Sequence, residues 1–122
     1  MTWQAIFYQA MSTLRHIEQK ELQTCLKEAE VVVLNFSSPG SYADSLTEPL
    51  FEELAEESDD SRLMVCTIDF DESHAVAKKY LVMSVPTTLV FFKGEVLERI
   101  IGVTSKAMIR SKLDFVLRNG KS

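Results

Sequence analysis

The run Val31-Val32-Val33-Leu34-Asn35-Phe36 constrains the fold more than any other segment of this chain. It is apolar, rich in β-branched residues, and shows little of the polar alternation of a half-exposed strand. Such a run fits a strand buried on both faces, which is typical of parallel sheets. Burial on both faces needs two covering layers, and in α/β proteins helices supply them. The run stops at Ser37-Ser38-Pro39-Gly40, a cluster of turn residues.

Around this strand the pattern alternates between helix and strand. Trp3, Ile6, Phe7, Ala10, Met11 and Leu14 recur at helical spacing and predict a short amphipathic helix. Its apolar stripe is expected to cover the domain's own sheet, the alternative being contact with a second copy of the chain. A short strand over Leu14–Ile17 follows, then a helix over Glu21–Ala29 with Leu22, Cys25 and Leu26 on one side. After the turn, Leu46, Leu50, Phe51, Leu54 and Ala55 mark a helix that Pro49 is expected to kink. Leu63–Phe70 reads as a second buried strand, Ser73–Tyr80 as a short helix, and Leu81–Val85 as a loop approaching Pro86. Thr87–Phe92 and Val96–Ile101, joined by Phe92-Lys93-Gly94-Glu95, predict an antiparallel hairpin. Ser105 caps a last helix carrying Met108, Ile109, Leu113, Phe115 and Val116, and Gly120 follows its end. The fold class is therefore α/β, a three-layer α/β/α sandwich with a central mixed sheet. Residues 1–13 form an N-terminal helical extension and residues 14–122 the domain proper.

Charge and cysteine usage narrow the function. The 18 acidic residues outnumber the 13 basic ones, and binding phosphates would need a concentrated basic surface, so nucleic acid is not the expected partner. Glu52, Glu53, Glu56, Glu57, Asp59 and Asp60 read as a solvated helix face and turn. No run approaches the roughly 18 apolar residues of a membrane span. The segment Met1 to Ile17 lacks the basic start and small-residue cleavage site of a secretory signal, so a cytoplasmic location is expected. His16, His74 and the two cysteines show no metal-ligand spacing, and no cofactor or metal is expected. Cys25 lies on the apolar side of a helical pattern and Cys66 inside a strand, so both read as buried structural thiols. A disulfide between them is left open.

Several local patterns, in this order and spacing, resemble the thioredoxin family over roughly Leu14–Leu117. They are the Val31–Phe36 strand, Pro49 within the next helix, Thr67-Ile68-Asp69, Ser84-Val85-Pro86-Thr87, Phe92-Lys93-Gly94-Glu95 and Gly102. The resemblance implies a thioredoxin fold with a cis Val85–Pro86 bond. It also implies an extended peptide partner pairing with the backbone at Val85. The family's Trp-Cys-Gly-Pro-Cys segment aligns on Gly40-Ser41-Tyr42-Ala43-Asp44. Ser41 then stands at the nucleophile position, Asp44 at the resolving position, and Asn35 where the family has a buried aspartate.

Disulfide exchange needs a thiolate to attack sulfur, and neither a serine nor an aspartate can enter that cycle. On these residues the chain is expected to be redox-inactive, with no catalytic residue. It would act as an adaptor, chaperone or assembly subunit, binding a protein or peptide at Ser41, Tyr42, Val85, Pro86 and Gly102. Ser41-Tyr42-Ala43-Asp44 also matches a helix capping box. Two alternatives stand beside this reading. One is a thiol–disulfide oxidoreductase-related protein using Cys25 or Cys66, which calls for an exposed thiol of low pKa. The other is a homodimeric scaffold joined through the N-terminal helix.

Overall fold

Apolar side chains on both faces leave no position of the central run in contact with water, and Val31–Ser37 is buried throughout as strand β2. The computed structural model describes residues 13–119. Strand β1 (Arg15–Ile17) is followed by a single 3-10 turn and helix α1 (Leu22–Glu28). The turn opens on a capping box between Glu18 and Glu21, which satisfies amides that a helix start would otherwise leave unpaired. After β2 come helix α2 (Tyr42–Glu57), strand β3 (Leu63–Asp69) and helix α3 (His74–Lys79). Strands β4 (Thr87–Phe92) and β5 (Glu95–Ile101) and helix α4 (Lys106–Asn119) complete the order. Helix α2 continues through Pro49 as one element of 16 residues. The N-terminal helix expected from Trp3 to Met11 and the Gly120 helix end lie outside the described residues.

Among the described residues the sheet has five strands in the order β1-β3-β2-β4-β5. Strand β3 runs parallel to both β1 and β2, which requires the α1 and α2 crossovers. Strand β4 runs antiparallel to β2 and to β5. The β4–β5 hairpin turns on Lys93 and Gly94, both at positive φ (49° and 85°). Positive φ at both central residues marks a type I′ turn, whose twist matches that of the flanking strands.

Side chains alternate across each strand and build one core on each face. Val32, Leu34, Phe36, Met64, Cys66 and Ile68 pack under α1 and α3 with Leu22, Cys25 and Leu26. Val31, Val33, Leu63, Val65 and Val90 meet Phe51 and Leu54 of α2 and Ile109, Leu113 and Val116 of α4. Of the apolar residues read on the last helix, Met108 and Phe115 are about half exposed and stand outside this core. The parity of β2 also places Asn35 and Ser37 on the α2 face, directly beneath the turn that starts that helix.

Candidate functional site

The turn after β2 is a helix start in its geometry. Ser41 has extended backbone (φ −77°, ψ 160°), and its Oγ accepts a hydrogen bond from the Asp44 amide at 3.0 Å. That satisfies one of the four amides a helix leaves unpaired. The reciprocal half of the expected capping box does not form. The Asp44 carboxylate turns instead toward the Ser37 hydroxyl and the Gly40 amide. Burial, followed by the charge of Glu48 one turn on, raises its pKa above the usual aspartate value.

The cis Val85–Pro86 bond faces this turn. A space of about 10 Å³ between them is lined by Ser37, Ser41, Asp44, Thr47, Val85 and Pro86. Thr87 Oγ1 donates to the Ser84 carbonyl at 2.7 Å, and the Gly102 amide donates to the Pro86 carbonyl at 2.8 Å, so the loop is held from both sides. Gly102 occupies positive φ (92°), which a residue with a side chain rarely adopts. The structure thus brings Ser41, Val85 and Pro86 together and attaches Gly102 behind them. Tyr42 is 79% exposed and projects outward.

Beneath the turn the polar residues are closely coupled. Asn35 is fully buried. Its Nδ2 lies 3.5 Å from Thr67 Oγ1, while its Oδ1 has no partner. Thr67 Oγ1 donates to the Asn35 carbonyl at 3.2 Å and lies 3.3 Å from Ser37 Oγ. Beside them a cavity of about 380 Å³ is walled by His16, Asp44, Glu48, Thr67 and Asp69 among others. His16, remote from this turn in sequence, reaches it because β1 lies beside β3, and its Nε2 is 2.6 Å from Glu48 Oε1.

The two cysteines form a second centre on the opposite face of the sheet. Cys25 comes from α1 and Cys66 from β3, and both are buried and unoxidised. Both belong to the core cluster packed under α1 and α3. The influence of the neighbouring Cys66 thiol lowers Cys25 to about 7 against the opposing effect of burial. The influence of Cys25, with burial, pushes Cys66 up. Arg15, the strand partner of Cys66, adds a positive charge that favours the thiolate on either sulfur. Its Nη1 also lies 3.3 Å from Met64 Sδ. Both are buried, as expected from their positions; that they share one core was not read from the sequence. Their only sequence signal is that each occupies an inward position of its own element. No group of three or more His, Cys, Asp or Glu side chains suited to a metal ion occurs among the described residues. No helix among them is long and apolar enough to cross a membrane.

Comparison with known proteins agrees with the fold. Residues 13–115 match the family model described as Thioredoxin. A thioredoxin of Bacillus subtilis is 39% identical over 80 residues, covering 66% of this chain and 76% of that protein. A chloroplastic M-type thioredoxin of Brassica napus is 32% identical over 93 residues, covering 76% of this chain and 52% of that protein. Among solved structures, a mutant thioredoxin from Halobacterium salinarum superposes with a TM-score of 0.79 at 28% identity, covering 87% of this chain and 92% of that one. A thioredoxin from Schistosoma mansoni shares the fold at a TM-score of 0.76, covering 87% of this chain and 97% of that one.

These relatives correct the redox-inactive reading drawn from Ser41, Asp44 and Asn35. All of them are thioredoxins, and they favour the thiol–disulfide alternative. The physical reason is that a dithiol need not lie within one turn. Residues 41 and 44 carry no sulfur, but the fold places Cys25 and Cys66 in one core cluster. That alternative called for an exposed thiol of low pKa; Cys25 has the lowered pKa but is buried.

Proposed function

The chain belongs to the thioredoxin family, and on that premise we propose that it is a thiol–disulfide oxidoreductase-related protein whose redox couple is Cys25 and Cys66. The observation that supports this reading is that both free thiols lie in one core cluster, with Arg15 the strand partner of Cys66. In the oxidising direction Cys25 and Cys66 together give up two electrons and two protons to a disulfide R–S–S–R′. One Cys25–Cys66 bond forms, the S–S bond of the substrate is broken, and the two thiols R–SH and R′–SH leave with the two protons. Cys25 is the attacking sulfur, because the thiolate is the nucleophile and Cys25 carries it. Both sulfurs lie under α1, so exchange with a protein disulfide requires that seven-residue helix to lift.

A separate surface is proposed for a protein or peptide partner, because the turn and the thiols lie on opposite faces of the sheet. A protein or peptide lies against Ser41, Tyr42, Val85, Pro86 and Gly102 and pairs its backbone at Val85. The facing turn and cis-proline loop support this, together with the exposed aromatic ring of Tyr42 as an anchor. A cytoplasmic location fits two unoxidised cysteines. The division into an extension (1–13) and a domain (14–122) completes the reading. The deciding experiment is reduction of insulin disulfides by the dithiothreitol-reduced protein, alongside Cys25→Ser and Cys66→Ser variants. Reduction that both variants lose supports the couple. Reduction that survives both substitutions, or no reduction by the unaltered protein, rejects it.

A further inference from the structure

The loop between α3 and the cis-proline carries two apolar side chains that the core does not use. Helix α3 ends in a Schellman arrangement. The Val82 amide donates to the Ala77 carbonyl at 2.8 Å, and the Leu81 amide donates to the Lys78 carbonyl at 3.2 Å. Leu81 therefore takes the left-handed position (φ 57°), where glycine is usual because a Cβ crowds the following carbonyl oxygen. A leucine there is strained, and at 73% exposure it gains little burial in return. Strain and exposure that nothing inside the molecule offsets point to a contact outside it. Val82 turns into the core, and Met83 beyond it is 89% exposed. Met83 lies two residues before Val85, so an extended segment paired at Val85 and continuing along this loop meets Met83 and then Leu81.

The surroundings of these two side chains are basic, in a chain whose net charge is −5. No acidic residue occurs from Ser73 to Gly94, a stretch that includes all of α3 and the cis-proline loop. Lys78 and Lys79 are exposed on the last turn of α3, and the Lys79 ammonium lies 5.4 Å from the centre of the Tyr80 ring. From β5, Arg99 donates to the Tyr80 carbonyl at 2.6 Å and to the Leu81 carbonyl at 3.4 Å, which brings a third cation to Leu81. Glu98, its neighbour on β5, turns to the other face of the sheet and pairs with Lys112 of α4. Cations around an apolar contact select a partner that carries carboxylates and speed its encounter. We infer that Leu81 and Met83 dock an acidic and apolar segment of a partner protein, its carboxylates facing Lys78, Lys79 and Arg99. The inference rests on the groove reading for the direction of the peptide, and it is independent of the Cys25–Cys66 couple.

The test titrates the full-length protein into a short fluorescein-labelled peptide that alternates glutamate with leucine, read by fluorescence anisotropy. A second peptide has lysine in place of glutamate. The glutamate peptide should bind about tenfold more tightly than the lysine peptide, and added salt should weaken it. Leu81→Gly and Met83→Ser should each weaken its binding by about tenfold. Leu81→Gly should at the same time raise the thermal midpoint, because glycine relieves the strain, so its loss of binding does not come from unfolding. The double variant Lys78→Glu, Lys79→Glu should reverse the preference between the two peptides. Amide shifts in nuclear magnetic resonance spectra then locate the glutamate peptide. Shifts at Leu81 and Met83 together with Val85 and Gly102 support both the inference and the groove. Shifts at Val85 and Gly102 alone leave the groove standing and overturn the inference, and shifts at neither pair reject both. Equal affinity for the two peptides, or unchanged affinity in both Leu81→Gly and Met83→Ser, overturns the inference as well.

Discussion

Asn35 carries an unbalanced polar atom. Its Oδ1 is buried without a hydrogen-bond partner, while Thr67 Oγ1 retains the Asn35 carbonyl and Ser37 as partners. A buried acceptor with no donor costs its desolvation, about 1–3 kcal/mol. Asn35→Val keeps a similar volume and a strand-favouring shape, and it should raise unfolding stability by about 1 kcal/mol in urea titration. Asp44 gives a second residue-scale prediction, with a pH signature. Its folded-state pKa lies above the ordinary value of 3.8, so folding disfavours the ionised form. Its contribution is therefore most favourable below the unfolded value and is lost as pH rises through the folded one. Asp44→Asn should raise the thermal midpoint at pH 7 and leave it unchanged near pH 3, where both states hold the proton. Equal gains at the two pH values would contradict this assignment.

Helix α2 begins at a cap that sequence and structure agree on. Ser41 Oγ accepts the Asp44 amide, and the Ser45 amide donates to the Ser41 carbonyl as the first bond of the helix. Ser41→Ala should lower stability by about 1 kcal/mol, read as a fall in the urea midpoint at unchanged slope. Ser41 therefore has a structural role whatever ligand approaches it. The Ser-x-x-Asp spacing made the cap legible before any coordinates, since the Ser41 hydroxyl faces the amide three residues on. The direction of the Asp44 carboxylate was not legible, because Ser37 and Glu48 reach it only once α2 lies over the sheet.

Across the molecule, the segment between Cys25 and Cys66 contains the central strand and all of α2. A bond between those sulfurs closes a loop of about 40 residues and removes unfolded-state freedom worth about 3–4 kcal/mol in the chain-entropy model. The oxidised protein should therefore unfold at a higher temperature than the reduced one, and dithiothreitol should reverse the difference. A lower midpoint on oxidation would mean that closing the bond distorts α1 against β3. The two regions also divide by face: the Ser41 turn and the cis-proline loop lie at the end of β2 near α2, and the two cysteines lie in the core beneath α1.

The succession of helices and strands and the antiparallel hairpin were legible in the sequence, because each depends on contacts within a few residues or on a periodicity that survives without knowledge of its neighbours. The cis-proline loop was implied by the family resemblance, and the strand order emerged only in the folded sheet. The apolar run at Val31–Phe36 alone demanded a sheet covered on both sides. Tertiary structure decided the chemistry. Cys25 and Cys66 are far apart along the chain, and only the packing of α1 over the sheet brings them into one core. His16 meets Glu48 by the same kind of placement, because β1 joins the sheet beside β3. Local patterns determine which face of each element is apolar. The residues that meet across two such faces follow from how the elements dock, which is why the sharing of one core by Cys25 and Cys66 was not legible in the sequence.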